Sequence, residues 1–334
     1  YWLEKLRLIF HTWESDLADF FAALEQPVSA RRERLGLSPA ENNILTDVDF
    51  RQLPEYFGEN AAMTIDALND QVANAKVFAQ KMQLSYEELF ELLKTKIINP
   101  HADLIPLVNK LDIGIDVLNG FYNDPGAFPL GDHLPDNLDL SEFDGDVSAW
   151  LLETKSALES IIVLAEILDE PGADEDVVTD VCDLSKRTLS RLLPGTTNYE
   201  LTEVDFHKLN RFIRLWRKTG WDINTFDQIA ATFLPVSSDQ FTLNNGDNEF
   251  IDTVFTILLA RLANFISIIR QYSLSNKKML SWINLWNPDM SDMLRRELLA
   301  HLVKKELSDI ESLTAITGVD PITDDMEDDA PSLI

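Results

Sequence analysis

The sequence has one cysteine, few glycines and no long uninterrupted apolar run. Because Cys182 is alone, no disulfide can form within the chain, and zinc ribbons and iron–sulfur clusters, which need several thiolates, are excluded. Only 12 of the 334 residues are glycine, which favours helix. The longest apolar run, residues 255–269, contains Arg261 and Asn264 and is too short and too polar for a membrane span. We expect Cys182 to be an inert, packed thiol.

Basic residues are also scarce. The chain has 28 Lys and Arg against 57 Asp and Glu, a net charge of −29. A surface this negative repels phosphate backbones and anionic lipid headgroups. We therefore expect no nucleic-acid partner and no membrane contact by this segment. The chain begins with Tyr1, reads from there like the middle of a helix and lacks a signal-peptide pattern, which predicts an internal fragment of a longer protein.

The motifs of common enzymes are missing. No GxSxG, GxGxxG or GxxxxGK[ST] string occurs, and no histidine belongs to an HExxH pair. The five histidines are scattered along the chain: His11, His101, His133, His207 and His301. Two acidic loops, residues 169–180 and 244–249, could attract calcium, but neither has the EF-hand spacing, and we favour solvated turns that cap helices. We expect no catalytic, cofactor-binding or metal-binding residue.

What the sequence does contain is apolar periodicity. Hydrophobic residues make up 45% of the chain and recur every three to four positions. This predicts an all-α fold, an irregular bundle of helical hairpins with a loop-rich insertion in the middle. We predict a helix over residues 1–26, a helix–turn–helix over 64–99 and a helix over 147–168. A helical block follows over 203–319, with a polar loop at 235–247 and a turn at 287–289. The expected divisions are N-terminal helical hairpins at 1–113, a loop-rich connection at 114–146, a C-terminal helical block at 147–319 and an acidic flexible tail at 320–334.

Capping patterns mark the starts of several helices. In the string LSYEEL at residues 84–89, Ser85 caps the next helix, Glu88 completes a capping box, and Leu84 and Leu89 are placed for a hydrophobic staple. An apolar residue followed by a small polar cap also occurs at Leu37-Ser38, Ile223-Asn224, Leu274-Ser275 and Leu307-Ser308. Each predicts the start of a helix.

One helix, residues 208–218, is basic in an otherwise acidic chain. An apolar stripe of Leu209, Phe212, Ile213 and Trp216 occupies one face, and Arg211, Arg214 and Lys218 point the other way. The cations could bind phosphate, but no basic groove surrounds them. We favour pairing with acidic residues of neighbouring helices.

Four tryptophans allow a similar choice. They are Trp216, Trp221, Trp282 and Trp286. They could form an aromatic ligand site, but at helical spacing we favour core anchors whose indole N–H groups bond to nearby carbonyls.

A family resemblance rests on this basic segment. The string DFHKLNRFIRLWRKTGW at residues 205–221 resembles a recurrent stretch, LxRFIRLWRKxGW, in the A subunits of bacterial Tc toxins and the related virulence-plasmid A proteins. As in that family, a capped helix follows, here at residues 223–234. Residues 81–100 resemble the family's LSYxEL segment before an Asn-Pro turn, and residues 182–193 resemble its CxLxxxxL segment. The three segments keep the family's order within residues 35–290.

The resemblance implies an α-helical shell around a central translocation channel in a homopentamer. Such subunits bind target cells, form a pore and pass a toxic enzyme carried by the B and C subunits. The implied partners are other copies of the subunit, the B and C subunits and a host cell-surface receptor. The implied location is extracellular, as a secreted protein, or on the bacterial cell surface. The family provides no catalytic residue in these segments.

Two other classes of function remain open at this point. An acidic helical adaptor could bind a partner helix in an apolar groove between hairpins. A hydrolase would need a cleft with convergent titratable groups, and the sequence indicates no such set.

Overall fold

The computed structural model describes residues 28–166, 183–193, 200–236 and 248–272, together with Ile283. The predictions for residues 1–26, 169–180 and 320–334, for Cys182, and for the helix starts near 275 and 308 fall outside these ranges. The chain divides into two compact units, residues 18–268 and residues 1–17 with 269–334. Of the second unit only residues 269–272 and Ile283 are described. All contacts discussed below lie within the first.

The described residues are mostly helical, which confirms the all-α prediction. The α-helices are α1 Val28–Leu35, α2 Pro39–Thr46, α3 Ile65–Val72, α4 Ala75–Met82, α5 Tyr86–Leu92, α6 Ile105–Lys110, α7 Ile115–Asn123, α8 Val147–Ser160, α9 Glu203–Thr219, α10 Ile223–Phe233 and α11 Asn248–Tyr272. Strands β1 Ile162–Glu166 and β2 Arg187–Arg191 pair in antiparallel register, the one sheet among the described residues. Short 3₁₀ turns, such as Leu53–Phe57, join several helices.

Two of the predicted caps are confirmed. Ser38 accepts a hydrogen bond from the Glu41 amide and starts α2, and Ser85 does the same with Glu88 at the start of α5; both are complete capping boxes. The prediction that Asn224 caps α10 is wrong. Asp222 is the cap, because its carboxylate reaches the Thr225 amide at 2.8 Å.

The region 114–146 contains more regular structure than the expected loop-rich connection. Helix α7 lies within this region, although the pair Asn119-Gly120 in its middle is typical of a turn. A Cβ at position 120 would lie 2.5 Å from the ring of Phe128, so glycine is needed here for close packing and not for a turn. Phe121 and Phe143 are fully buried, and Phe143 meets Trp150 of α8 edge to face. This region therefore supplies part of a core.

The predicted helix 147–168 is wrong beyond Ser160. Helix α8 ends there, and the β-branched run that follows pairs as β1 with β2. Asn99 fixes the start of β1, since its side chain bonds to both the N–H and the C=O of Ile162 at 2.8 Å.

Helix α11 is the longest of the described helices and passes through the core beside α9. Its residues 248–267 have the length and composition of a membrane span, with a mean hydropathy of 1.5, but 61% of that stretch is buried inside the protein. The core helix of a globular protein has the same pattern. No other described helix is long and apolar enough.

Candidate functional site

Helix α9 is the basic helix of the sequence, and both of its ends are fixed by local chemistry. Thr202 caps the N-terminus and forms a capping box with Asp205. Gly220 ends the helix in the left-handed region, with φ of 70°. Of its 17 residues, 12 are buried, so both its apolar and much of its polar surface lie inside the protein.

The apolar face of α9 forms an aromatic core with its neighbours. Phe206 meets Phe57 edge to face, and Phe212 meets Phe226 of α10 in the same way. Trp216 is buried, and its indole N–H donates to the carbonyl of Trp221 at 2.8 Å. The prediction of a core anchor is confirmed for Trp216; Trp282 and Trp286 fall outside the described residues.

A buried ion pair joins the first turn of α9 to the antiparallel pair β1 and β2, which we call the hairpin. The guanidinium of Arg191, at the end of β2, donates from Nη2 and Nε to Asp205 Oδ2 at 2.7 and 3.2 Å. Asp205 lies in the first helical turn, where a negative charge is favourable. Lys208 is buried one turn further on, and burial lowers its pKa to about 8 although Asp205 opposes the shift.

The remaining buried surface of α9 is a polar stripe. We use this name for His207, Asn210, Arg211 and Arg214, which follow i, i+3, i+4 and i+7 spacing. Arg211 is fully buried and pairs through Nη2 with Asp252 Oδ1 of α11 at 2.5 Å.

Arg214 and Lys218, the other two cations that the sequence singled out on this helix, have different kinds of partner. Lys218 pairs with Glu41 of α2, so the predicted pairing with acidic residues of other helices is confirmed for Arg211 and Lys218. It is wrong for Arg214, whose Nε donates to Asn210 Oδ1 at 2.7 Å and whose guanidinium lies over the Tyr56 ring.

The environment of the polar stripe is strongly desolvated. Burial, with help from the charge of Arg211, lowers the pKa of His207 to about 3, so the imidazole is neutral at pH 7. At 3.7 Å, the Glu203 carboxylate is too far from His207 Nε2 for a hydrogen bond. Burial also raises the pKa of Tyr56, whose ring meets His207 edge to face.

Several polar atoms of the stripe and its neighbour Tyr56 are buried without a hydrogen-bond partner among the described residues. They are Tyr56 Oη, His207 Nε2, Asn210 Nδ2, Arg211 Nε and Arg211 Nη1. A buried polar atom without a partner costs about 1–3 kcal/mol, so such a concentration marks this stripe as the candidate site.

No family model, curated protein or solved structure matches this chain. Within the described ranges, no group of three or more His, Cys, Asp or Glu side chains is placed to hold a metal ion. The site is therefore defined by its geometry alone.

Sequence reasoning identified only part of this site. Arg211 and Arg214 were singled out, but Tyr56, Asn210 and Asp252 were not. The spacing of His207, Asn210, Arg211 and Arg214 was visible and could have indicated a second continuous face. Nothing in the sequence indicated that this face is buried, because its burial depends on contacts with Asp252 and Tyr56, which lie 41 to 158 positions away in the chain.

Proposed function

We propose that this chain is a non-catalytic segment of the helical shell of a Tc toxin A subunit. In that role it supports the assembly of the cell-binding, pore-forming subunit with other copies of itself and with the B and C subunits. The proposal is supported by the resemblance at residues 205–221. The observation that carries it is that the cations of this stretch are used inside the fold, with Arg211 on Asp252 and Lys218 on Glu41.

This use of charge favours a structural role over a binding surface for large polyanions. A surface that binds phosphate backbones has exposed cations, whereas Arg211 is fully buried and Arg214 is partly covered by Tyr56. Burying a guanidinium is costly unless it is paired, so its partner becomes part of the core. The resembling string thus coincides with the buried centre of the described fold.

The experiment is to produce the protein from the complete reading frame that encodes this chain and to examine it by native mass spectrometry and electron microscopy. The proposal expects a homopentamer with a central channel and with these helices in its outer wall. A monomer or dimer without a channel would contradict it. A stable one-to-one complex with an unrelated helical protein would favour the acidic adaptor instead.

A matched pair of variants tests whether α9 supports the fold of this segment. Asp252→Asn leaves the Arg211 guanidinium buried opposite a neutral group, and we expect it to lower the free energy of unfolding by about 3 kcal/mol. Asp136→Asn, at an exposed position, removes the same charge and serves as the control. Urea unfolding of both variants measures the difference. Equal stabilities would remove α9 as the internal support of the segment.

A further inference from the structure

The chain between Asn99 and Ile162 leaves and re-enters the fold at the same place. The Asn99 side chain donates to the Ile162 carbonyl and accepts from the Ile162 amide, both at 2.8 Å, and both residues are buried. The same amide group donates to the Leu93 carbonyl at 2.6 Å, which fixes this junction at the end of α5. Adjacent ends are typical of a segment that is inserted into a fold, and we call residues 100–161 the inserted module.

The inserted module has a buried core of its own. Of the 12 buried residues in this core, 11 lie within the module and only Leu193 lies outside it, so the module buries its apolar surface mainly against itself. Helices α6, α7 and α8 supply most of the core, together with the 3₁₀ turns Leu130–His133 and Leu140–Phe143. With 62 residues, the module has the size of a small domain.

Ring contacts and ion pairs join parts of the module to one another. Tyr122 of α7 is an example, because its hydroxyl donates to the Leu151 carbonyl of α8 at 3.0 Å and Lys155 of α8 lies over its ring. Further internal contacts are Phe121 with Tyr122, Phe128 with His133, Phe143 with Trp150, Lys110 with Glu142, and Lys155 with Glu159. These contacts can therefore form and break together.

The hairpin is the surface on which the module packs. The side chain of Leu193 lies in the module's core, and the Leu192 amide donates to the Ile161 carbonyl at 2.8 Å. Arg191 Nη1 donates to the Glu159 carbonyl, close to the end of α8, at 3.4 Å. The module is thus attached to the rest of the first unit through the two strands and the Asn99 junction.

The hairpin is also held by residues outside the module. The Leu189 amide donates to the Ala73 carbonyl at 2.7 Å, and Arg191 pairs with Asp205 of α9. Neither contact involves residues 100–161. The hairpin and α9 therefore keep these contacts if the module unfolds.

The junction also keeps the cost of such an opening low. An unfolded module becomes a loop of 62 residues whose ends stay together at Asn99 and Ile162. Loop-closure entropy rises only slowly with length, so this constraint opposes the opening weakly. We propose that the inserted module opens as one cooperative unit while the hairpin and helices α9 to α11 stay folded. The proposal does not depend on membership of a toxin complex.

The test is native-state hydrogen exchange of the full chain at increasing urea concentrations below the unfolding transition. The protected amides of α6, α7 and α8 are expected to share one free energy of opening, below that of the α9 amides. The urea dependence of this free energy should also be smaller than for α9, because opening the module exposes less surface than unfolding the whole unit.

Two matched variants separate the two cores. Phe121 and Phe212 are fully buried rings, the first in the module and the second in α9. Phe121→Leu should speed exchange in α6 to α8 about tenfold, because an aromatic contact and some packing are lost. Phe212→Leu should speed exchange in α9 by a similar factor and leave α6 to α8 unchanged, because α9 stays folded when the module opens.

Four results would overturn the proposal. In the parent chain they are an equal free energy and urea dependence for the α8 and α9 amides, or free energies in α6 to α8 that differ from helix to helix. In the variants they are exchange in α8 that Phe212→Leu speeds as much as exchange in α9, or exchange in α8 that Phe121→Leu leaves unchanged. The two results in the parent chain decide the question even if a variant fails to fold.

Discussion

Two asparagine side chains hold distant backbone segments in the way that a neighbouring strand would. Asn69 of α3 donates to the Leu201 carbonyl at 2.8 Å and accepts from the Leu201 amide at 3.1 Å. Asn99 makes the same pair of bonds with Ile162. A carboxamide carries a donor and an acceptor side by side, so it can satisfy the N–H and the C=O of one buried residue at the same time.

Replacing Asn99 should be costly for this reason. Asn99→Ala leaves the buried N–H and C=O of Ile162 without the side chain that bonds to them, and it also removes the bond to the Leu93 carbonyl. We therefore expect the free energy of unfolding to fall by about 3 kcal/mol. Asn224→Ala removes an exposed amide that bonds only to Glu91, and it should change stability by less than about 0.5 kcal/mol. Urea unfolding of both variants provides the measurement; similar losses would mean that the clamp on Ile162 contributes little.

The buried imidazole of the polar stripe gives stability a specific dependence on pH. The pKa of His207 falls from an ordinary value of 6.5 to about 3 in the folded protein. Between these values the unfolded chain carries a proton on His207 that the folded chain does not. The unfolded state therefore binds more protons, and stability decreases as the pH falls from 6.5 towards 3.

Removing the imidazole should flatten this dependence. We expect His207→Gln to reduce the slope of unfolding free energy against pH by up to about 1.4 kcal/mol per unit within that window. His133→Gln is the control, because His133 is exposed and stacks on Phe128. Urea unfolding at several pH values between 4 and 7 measures both. An identical slope in His207→Gln and the parent would show that this imidazole is not the buried neutral group.

At the scale of single elements, the C-terminus of α9 depends on one glycine. Gly220 has φ of 70°, in the left-handed region, and it allows Trp221 to turn back so that its carbonyl accepts from Trp216. A Cβ there would meet no neighbouring atom, so the cost of substitution comes from the backbone alone.

Substitutions at Gly220 therefore measure the cost of the backbone conformation without a contribution from packing. Gly220→Ala should destabilise the protein by about 1 kcal/mol, and Gly220→Asn by less, because asparagine tolerates the left-handed region better. Gly126→Ala is the comparison, since Gly126 has neither positive φ nor nearby atoms. Thermal unfolding of the three variants is sufficient. A loss at position 126 equal to that at 220 would argue against the conformational explanation.

The sequence predicted elements well where the determinants are local. The caps Ser38 and Ser85 were predicted, because a cap and its partner lie only three positions apart. The start of α9 near Glu203 was also predicted, but its cap Thr202 was not. Helix α7 was missed because Gly120 serves a contact with Phe128, which periodicity does not reveal. Strand β1 was missed because its partner β2 begins about 20 residues later and only pairing favours an extended chain there.

At the scale of the whole molecule, the described residues of the first unit contain a second buried core in addition to the one around α9. It is built from α6, α7, α8 and the 3₁₀ turn Leu140–Phe143, and it includes Phe121, Phe143 and Leu158. The hairpin lies beside both, since Leu193 follows β2 into this core while Arg191 pairs with Asp205 of α9. The hairpin thus connects the two cores through residues that are adjacent in sequence.

The net charge of −29 also has to be accommodated at this scale. Self-repulsion opposes the compact state, and it is weakest where the few cations lie among the carboxylates. Helix α9 brings Lys208, Arg211, Arg214 and Lys218 into the interior or onto neighbouring helices. The basic helix α9 therefore supports the fold, in agreement with the structural role that the sequence favoured.

Native-state hydrogen exchange of the full chain tests that claim most directly. If α9 is the buried support, its backbone amides from Phe206 to Trp216 exchange only when the whole unit unfolds, with free energies equal to that of global unfolding by urea. The amides of exposed turns such as Asp124–Gly126 exchange at much lower free energies in the same experiment. Exchange of the central α9 amides at a free energy well below the global value would contradict the account.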